Sequence, residues 1–163
     1  MKKFKVEIKW AIIFTIASIL WMVLEKSLGL HDEYISEHAI YTNIFAVIAV
    51  AVYVLAIVEK KKYFYKGTMN WTQGFLSGLM LTIFIAILSP LVQYIVFHYI
   101  SPDFFKNVIE YAVSNNIYTQ AAADTYFTLN SYILQGIVGS ISMGVITSAI
   151  VALIFKSKVE IPN

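Results

Sequence analysis

Four stretches of about twenty mostly apolar residues constrain this chain more than any other feature. At 1.5 Å of rise per residue, each is long enough to cross a hydrocarbon layer about 30 Å thick as a helix. They run from about Trp10 to Leu30, Ala39 to Val58, Gly74 to His98 and Tyr132 to Phe155. None shows the period-two alternation of a barrel strand. The expected fold class is therefore all-α, an integral membrane four-helix bundle, with residues 1–163 forming one transmembrane domain. Composition agrees, with a mean hydropathy of +0.71 and only 13% charged residues, about half the charged share of a soluble domain. Pro90 in the third span predicts a kink.

Lysine placement predicts which way the helices face. Lys2, Lys3, Lys5 and Lys9 precede the first span, Lys60, Lys61, Lys62 and Lys66 fill the second connection, and Lys156 and Lys158 follow the fourth span. The other side holds only Lys26 and Lys106 among seven acids. The positive-inside rule then puts both termini and the 59–73 connection in the cytoplasm, as expected of a multi-pass protein of a plasma-type membrane. A basic start, an apolar run, and Ser27 and Gly29 at cleavage-site spacing also resemble a signal peptide. The charged Glu25 and Lys26 before that site favour an uncleaved signal-anchor.

Several function classes lose support at once. Cysteine is absent, which removes disulfides, thiolate metal sites and cysteine nucleophiles. Every basic residue is lysine, and the net charge is only +2, so no nucleic-acid partner is expected. No phosphate loop or serine–histidine–acid pattern is present, and neither a cofactor nor an enzymatic activity is expected. The lysines and aromatics of 59–66 suit anionic headgroups, although a topology signal with an aromatic belt explains the same residues and is the favoured reading. Asn70-Trp71-Thr72 matches a glycosylation sequon on the wrong side of the membrane.

The second outer loop, residues 101–131, predicts two short surface helices, lying over the bundle as a lid or docked on another protein. Ser101, Pro102 and Asp103 can start one, with Phe105, Val108, Ile109 and Ala112 on its apolar face to about Ser114. Thr119 can cap the other, which presents Ala123, Tyr126 and Phe127.

Small residues recur every four positions in two seams, Gly74, Gly78, Thr82 and Ala86 in the third span and Gly136, Ser140, Gly144 and Ser148 in the fourth. Such seams let backbones approach closely. They serve either a homodimer face or the packing of these two spans on each other, and the second reading needs no partner. Polar residues gather in the outer half: Glu25, Asn43 and Gln93, with His98 and Gln135 nearer the surface. One reading makes these a vestibule in which Glu25 accepts a cation or polar ligand and Asn43 and Gln93 donate. The other ends the first span early and lets Glu25 and Lys26 reach outward to water. His31, Asp32, Glu33, Glu37 and His38 read as an acidic solvent-facing loop, since a helix through them lacks the i, i+4 histidine pair of a metal site. No metal is expected there.

Taken together, "FKVEIKWAIIFTIASILWMVLEKSLGLH" from Phe4, "GFLSGLMLTIFIAILSP" from Gly74 and "IVGSISMGVITSAIVALI" from Ile137 resemble a family of membrane proteins known as domain of unknown function 4199, found mainly in Bacteroidetes. The resemblance covers nearly the whole chain. It implies a small four-helix protein of the bacterial inner membrane and carries no activity with it. Two functions stay open. One is a structural or accessory subunit acting through lipid, a protein partner or a second copy of the chain. The other is a small transporter or channel component built on the vestibule around Glu25.

Overall fold

A computed structural model describes residues 2–157. Lys158 of the expected C-terminal lysine pair lies outside the described residues. A short 3-10 turn leads into α1, Lys5–Ser27. Next come α2, His38–Tyr41, a 3-10 turn, and α3, Phe45–Tyr63, which together form one apolar rod. The third rod is α4, Trp71–Ile95, extended by a π-helical turn through Ile100. Two short helices follow, α5, Phe104–Ser114, and α6, Gln120–Tyr126, before α7, Leu129–Phe155. The described residues contain no strand, and four rods are long and apolar enough to cross a membrane. The protein is an all-α bundle of the multi-pass membrane type.

Outward-facing apolar side chains show what solvent this bundle expects. Leu20, Val47, Ile87, Leu134 and Ile154 stand largely exposed on all four rods. That is costly in water and neutral in lipid, where every backbone group must be paired within its own helix. The core between the rods holds Tyr53, Ile57, Leu81 and Ile85 with Ala11 and Val151.

Helix ends follow local chemistry and correct several expected bounds. The first helix stops at Ser27, three residues before Leu30, because Gly29 turns the chain at φ +77°. Leu30 N–H donates to Glu25 O at 3.0 Å and Gly29 N–H to Lys26 O at 3.1 Å. This is a Schellman ending, and glycine reaches its left-handed position without the Cβ penalty. The third helix begins at Trp71 rather than Gly74, because Asn70 and Gln73 form a reciprocal capping box with both bonds at 2.9 Å. The triplet read as a sequon is thus a helix start. Thr119 and Thr128 cap α6 and α7. Pro90 does not end the helix, and α4 runs on for five more residues to Ile95.

The two seams meet. A Cβ built on Gly78 would lie 2.6 Å from Ser148 Cβ, one on Gly74 would lie 3.1 Å from Ala152 Cβ, and one on Gly144 would lie 2.6 Å from Tyr53 Oη. Real Cβ atoms do not approach as closely as 2.6 Å, so Gly78 and Gly144 tolerate nothing larger without movement, whereas at Gly74 the neighbours need give only a few tenths of an ångström. Close backbone approach also places Tyr53 Oη 2.8 Å from Thr82 Oγ1, joining α3 to α4. Gly136 faces Ser89 and Gln93 instead, and Ser140 turns its hydroxyl back to Ile137 O.

Candidate functional site

One face of α1 carries Glu7, Ala11, Phe14, Ser18, Trp21 and Glu25, spaced alternately four and three residues apart. Residues so spaced share one side of a helix. Glu7, Ala11 and Glu25 are its buried members, so the helix turns a carboxylate into the protein at each end. They are eighteen residues apart, about 27 Å along the axis at 1.5 Å per residue, close to the thickness of a hydrocarbon layer. Each carboxylate has its own set of partners.

At the end covered by α5 and α6, Glu25 is 1% exposed. Trp21 Nε1–H donates to its Oε1 at 2.6 Å. The other oxygen, Oε2, lies 3.4 Å from His31 Nε2 and 3.6 Å from His38 Nδ1. His31 is fully buried and His38 largely so. The sequence argument against a shared site assumed a helix through this loop. The structure has successive turns over residues 28–37, and the Schellman ending folds His31 back beneath α5. The loop splits accordingly: Asp32, Glu33 and Glu37 are exposed as expected of a solvated loop, whereas Leu30 and His31 are not. Lys26 bonds to Asp32, and that bond chiefly, helped by the Glu33 N–H, holds the Asp32 carboxyl below its ordinary value.

The helix α5 seals this cluster. Phe104, fully buried, sits edge-on to His31 and His38 at 5.3 and 5.1 Å. Asn107 Nδ2–H donates to His31 O at 2.9 Å, which ties the lid to the loop. Phe97, Phe105 and Tyr132 complete the aromatic packing beneath the lid.

Below the cluster a cavity of about 270 Å³ is lined by Trp21, His38, Thr42, Gln93 and Tyr132 among others. It shares Ser18, Phe45, Val92 and Gln93 with a second, of about 300 Å³, which reaches Thr15, Ser89 and Gly136. All four long helices contribute to these walls. Ser89 Oγ is buried there without a hydrogen-bond partner, as are Nδ1 of His31 and of His38 above. Beyond Ile85 the helices close through the Tyr53–Thr82 bond and the Gly78–Ser148 contact.

Of the residues singled out from sequence, Glu25 and Gln93 come together around this cleft, Glu25 through Trp21 and His38. Asn43 is exposed and donates to Ala39 O within its own helix at 2.6 Å. His98 is exposed and stacked on Tyr94 at 4.1 Å. Gln135 is exposed and accepts from Tyr126 Oη at 3.5 Å. These three contribute nothing to the cleft, because each falls on the outward side of its helix.

A family model described as "Protein of unknown function (DUF4199)" matches residues 9–157. The chain belongs to that family. No curated protein and no solved structure matches it. The match covers Glu25, His31 and His38 and begins just after Glu7.

At the opposite end, Glu7 is also 1% exposed. Lys60 Nζ lies 2.8 Å from its Oε1, and Ser77 Oγ–H donates to the same oxygen at 2.7 Å. Lys60 also donates to Lys3 O. Sequence reasoning placed Lys60 in a cytoplasmic connection and did not weigh Glu7. The helix α3 runs on to Tyr63, so Lys60, Lys61 and Lys62 form its last turn rather than the start of the connection, and Lys60 is buried. Glu59, one residue before it, accepts from Trp10 Nε1 at 2.8 Å and pairs with Lys9. The spacing of Glu7 to Ala11 and Phe14 was a legible sign that this acid faces inward.

Proposed function

We propose that this chain is the ligand-binding membrane component of a small transport system, with a vestibule of largely apolar walls and a few polar groups that leads down from Trp21 and His38 beside Glu25. Lysine placement orients the vestibule outward, in a bacterial inner membrane with both termini cytoplasmic. Glu25 carries the reading. A carboxylate 1% exposed, with one oxygen held by Trp21 and the other directed at two histidines beside a cavity, is an expensive arrangement for a purely structural helix end. The alternative, a structural or accessory subunit, draws on the lack of deep charge, the surface helices of the outer loop and the small-residue seams. Those seams are occupied by contact between α4 and α7 of one chain, which removes their main argument for a partner.

The test uses the natural absence of cysteine. Ser89→Cys should react with a membrane-impermeant thiol reagent added from the outside of intact cells, while Leu134→Cys, on the exposed apolar face, should stay inert. Equal inertness of the two would mean that no water reaches Ser89, and the vestibule reading would fall.

A further inference from the structure

We infer that Glu25 Oε2, His31 Nε2 and His38 Nδ1 form a binding site for a divalent transition-metal ion of the zinc class, open on the side of the cavity. The inference rests on the vestibule reading and names the ligand at its head. One ligand atom from each residue lies within 4.8 Å of the other two. Two of the three edges are 3.4 and 3.6 Å. A tetrahedral ion with bonds of about 2.0–2.1 Å needs donor–donor edges of roughly 3.4 Å, so the donors already stand near the required spacing.

The donor set narrows the ion. Two imidazoles and one carboxylate suit zinc, cobalt or iron, whereas calcium and magnesium take oxygen ligands. Three protein ligands with a vacant fourth position are the usual form of a reactive or exchangeable zinc site. The cavity meets the site at His38 and Trp21 and gives that fourth position a place to face.

A second observation points to a ligand. Nδ1 of both histidines is buried and lacks a hydrogen-bond partner. An ion on His38 Nδ1 would satisfy one of these atoms directly. At 3.4 Å the His31–Glu25 contact is long for a hydrogen bond, so His31 is not strongly committed elsewhere. Trp21 already fixes the carboxylate through Oε1, the kind of outer support that metal-binding carboxylates receive. Phe104 closes the side that faces the lid helix, away from the cavity.

The experiment is a cobalt titration of the full chain in lipid nanodiscs, purified through a tag free of histidine and stripped with a chelator. We expect one Co²⁺ per chain, with the visible absorption of a four-coordinate ion, displaced by Zn²⁺. Glu25→Gln and His38→Asn should each weaken binding about a hundredfold or more, and zinc should raise the melting temperature of the wild type alone. If either variant fails to fold, His38→Cys keeps a donor and should add a sulfur-to-cobalt band in the near ultraviolet. The proposal is overturned if the wild type gives no such spectrum. It is equally overturned if both substitutions leave affinity unchanged, or if folded His38→Cys binds cobalt without the sulfur band. Loss of metal binding with Ser89→Cys still reactive defeats the metal site and leaves the vestibule, whereas an inert Ser89→Cys defeats the vestibule whatever cobalt does.

Discussion

Lys60 brings a full charge to a place where 3% of its surface meets solvent. It is held there by Glu7, with Ser77 and a backbone carbonyl sharing the load. Removing one partner of a buried pair leaves the other uncompensated, which typically costs about 3–5 kcal/mol. Lys60→Ala should therefore lower unfolding stability in detergent by that order. The joint change Glu7→Gln with Lys60→Met should recover most of the loss, since two neutral groups need no pairing. A Lys60→Ala protein that melts with the wild type would show that Glu7 does not depend on Lys60. Asp32 is the opposite case, an exposed carboxyl whose pairing with Lys26 is worth at most about 1 kcal/mol. Its folded pKa is lowered, so its contribution is present above the ordinary value of 3.8 and is lost as pH falls below it. Urea titration of Asp32→Asn against wild type should show a small gap at pH 7 that closes in acid.

At the scale of elements, turns and caps decide where side chains arrive. Gly29 ends α1 with positive φ, and that reversal carries His31 back toward Glu25. Any L-residue in the left-handed region costs about 1–2 kcal/mol. A Cβ there would also approach Tyr34 Cδ2 to 3.1 Å. Gly29→Ala should lower the melting temperature accordingly and, if His31 ligates an ion, weaken cobalt binding as well. An unchanged melting temperature would mean that the turn relaxes freely. Asn70→Ala should cost about 1 kcal/mol through the lost cap. Capping chemistry was legible for Thr119. By contrast, α5 starts at Phe104 after Asp103, two residues later than the Ser101 cap and Pro102 start expected of it, because Pro102 and Asp103 form a turn; its end at Ser114 agrees. Asn70 escaped because its triplet also matched a sequon. Gly29 escaped because the apolar run resumes at Leu28 and suggests a longer helix.

The whole molecule is organised by the contact of α4 with α7. Gly74→Cys with Ala152→Cys, whose Cβ atoms would stand about 3.1 Å apart, need separate by only about half an ångström to reach disulfide spacing and should crosslink within one chain on mild oxidation. The product should run as a monomer on a denaturing gel, its shift reversed by reductant. A ladder of disulfide dimers would mean that the seams meet between chains. Around this spine, α1 sets one carboxylate near each end, and α5 closes one of those ends.

The length and hydrophobicity of four stretches are local properties, and they alone sufficed to determine an all-α bundle with four long apolar rods. Which polar residues turn inward was only partly legible. The periodicity of α1 carries both Glu7 and Glu25 on one stripe, yet a stripe says nothing about partners. Asn43, His98 and Gln135 lie in the same outer half as Glu25 and still face away, because depth is counted along a helix whereas facing depends on how helices rotate against one another. The convergence of Glu25, His31 and His38 was decided only by tertiary structure. It requires a left-handed turn at Gly29, a loop that is not a helix, and Phe104 and Asn107 pressing on it, the latter from 76 residues further along the chain. Local sequence encodes each of these steps separately, but only packing brings three donor atoms within reach of one ion.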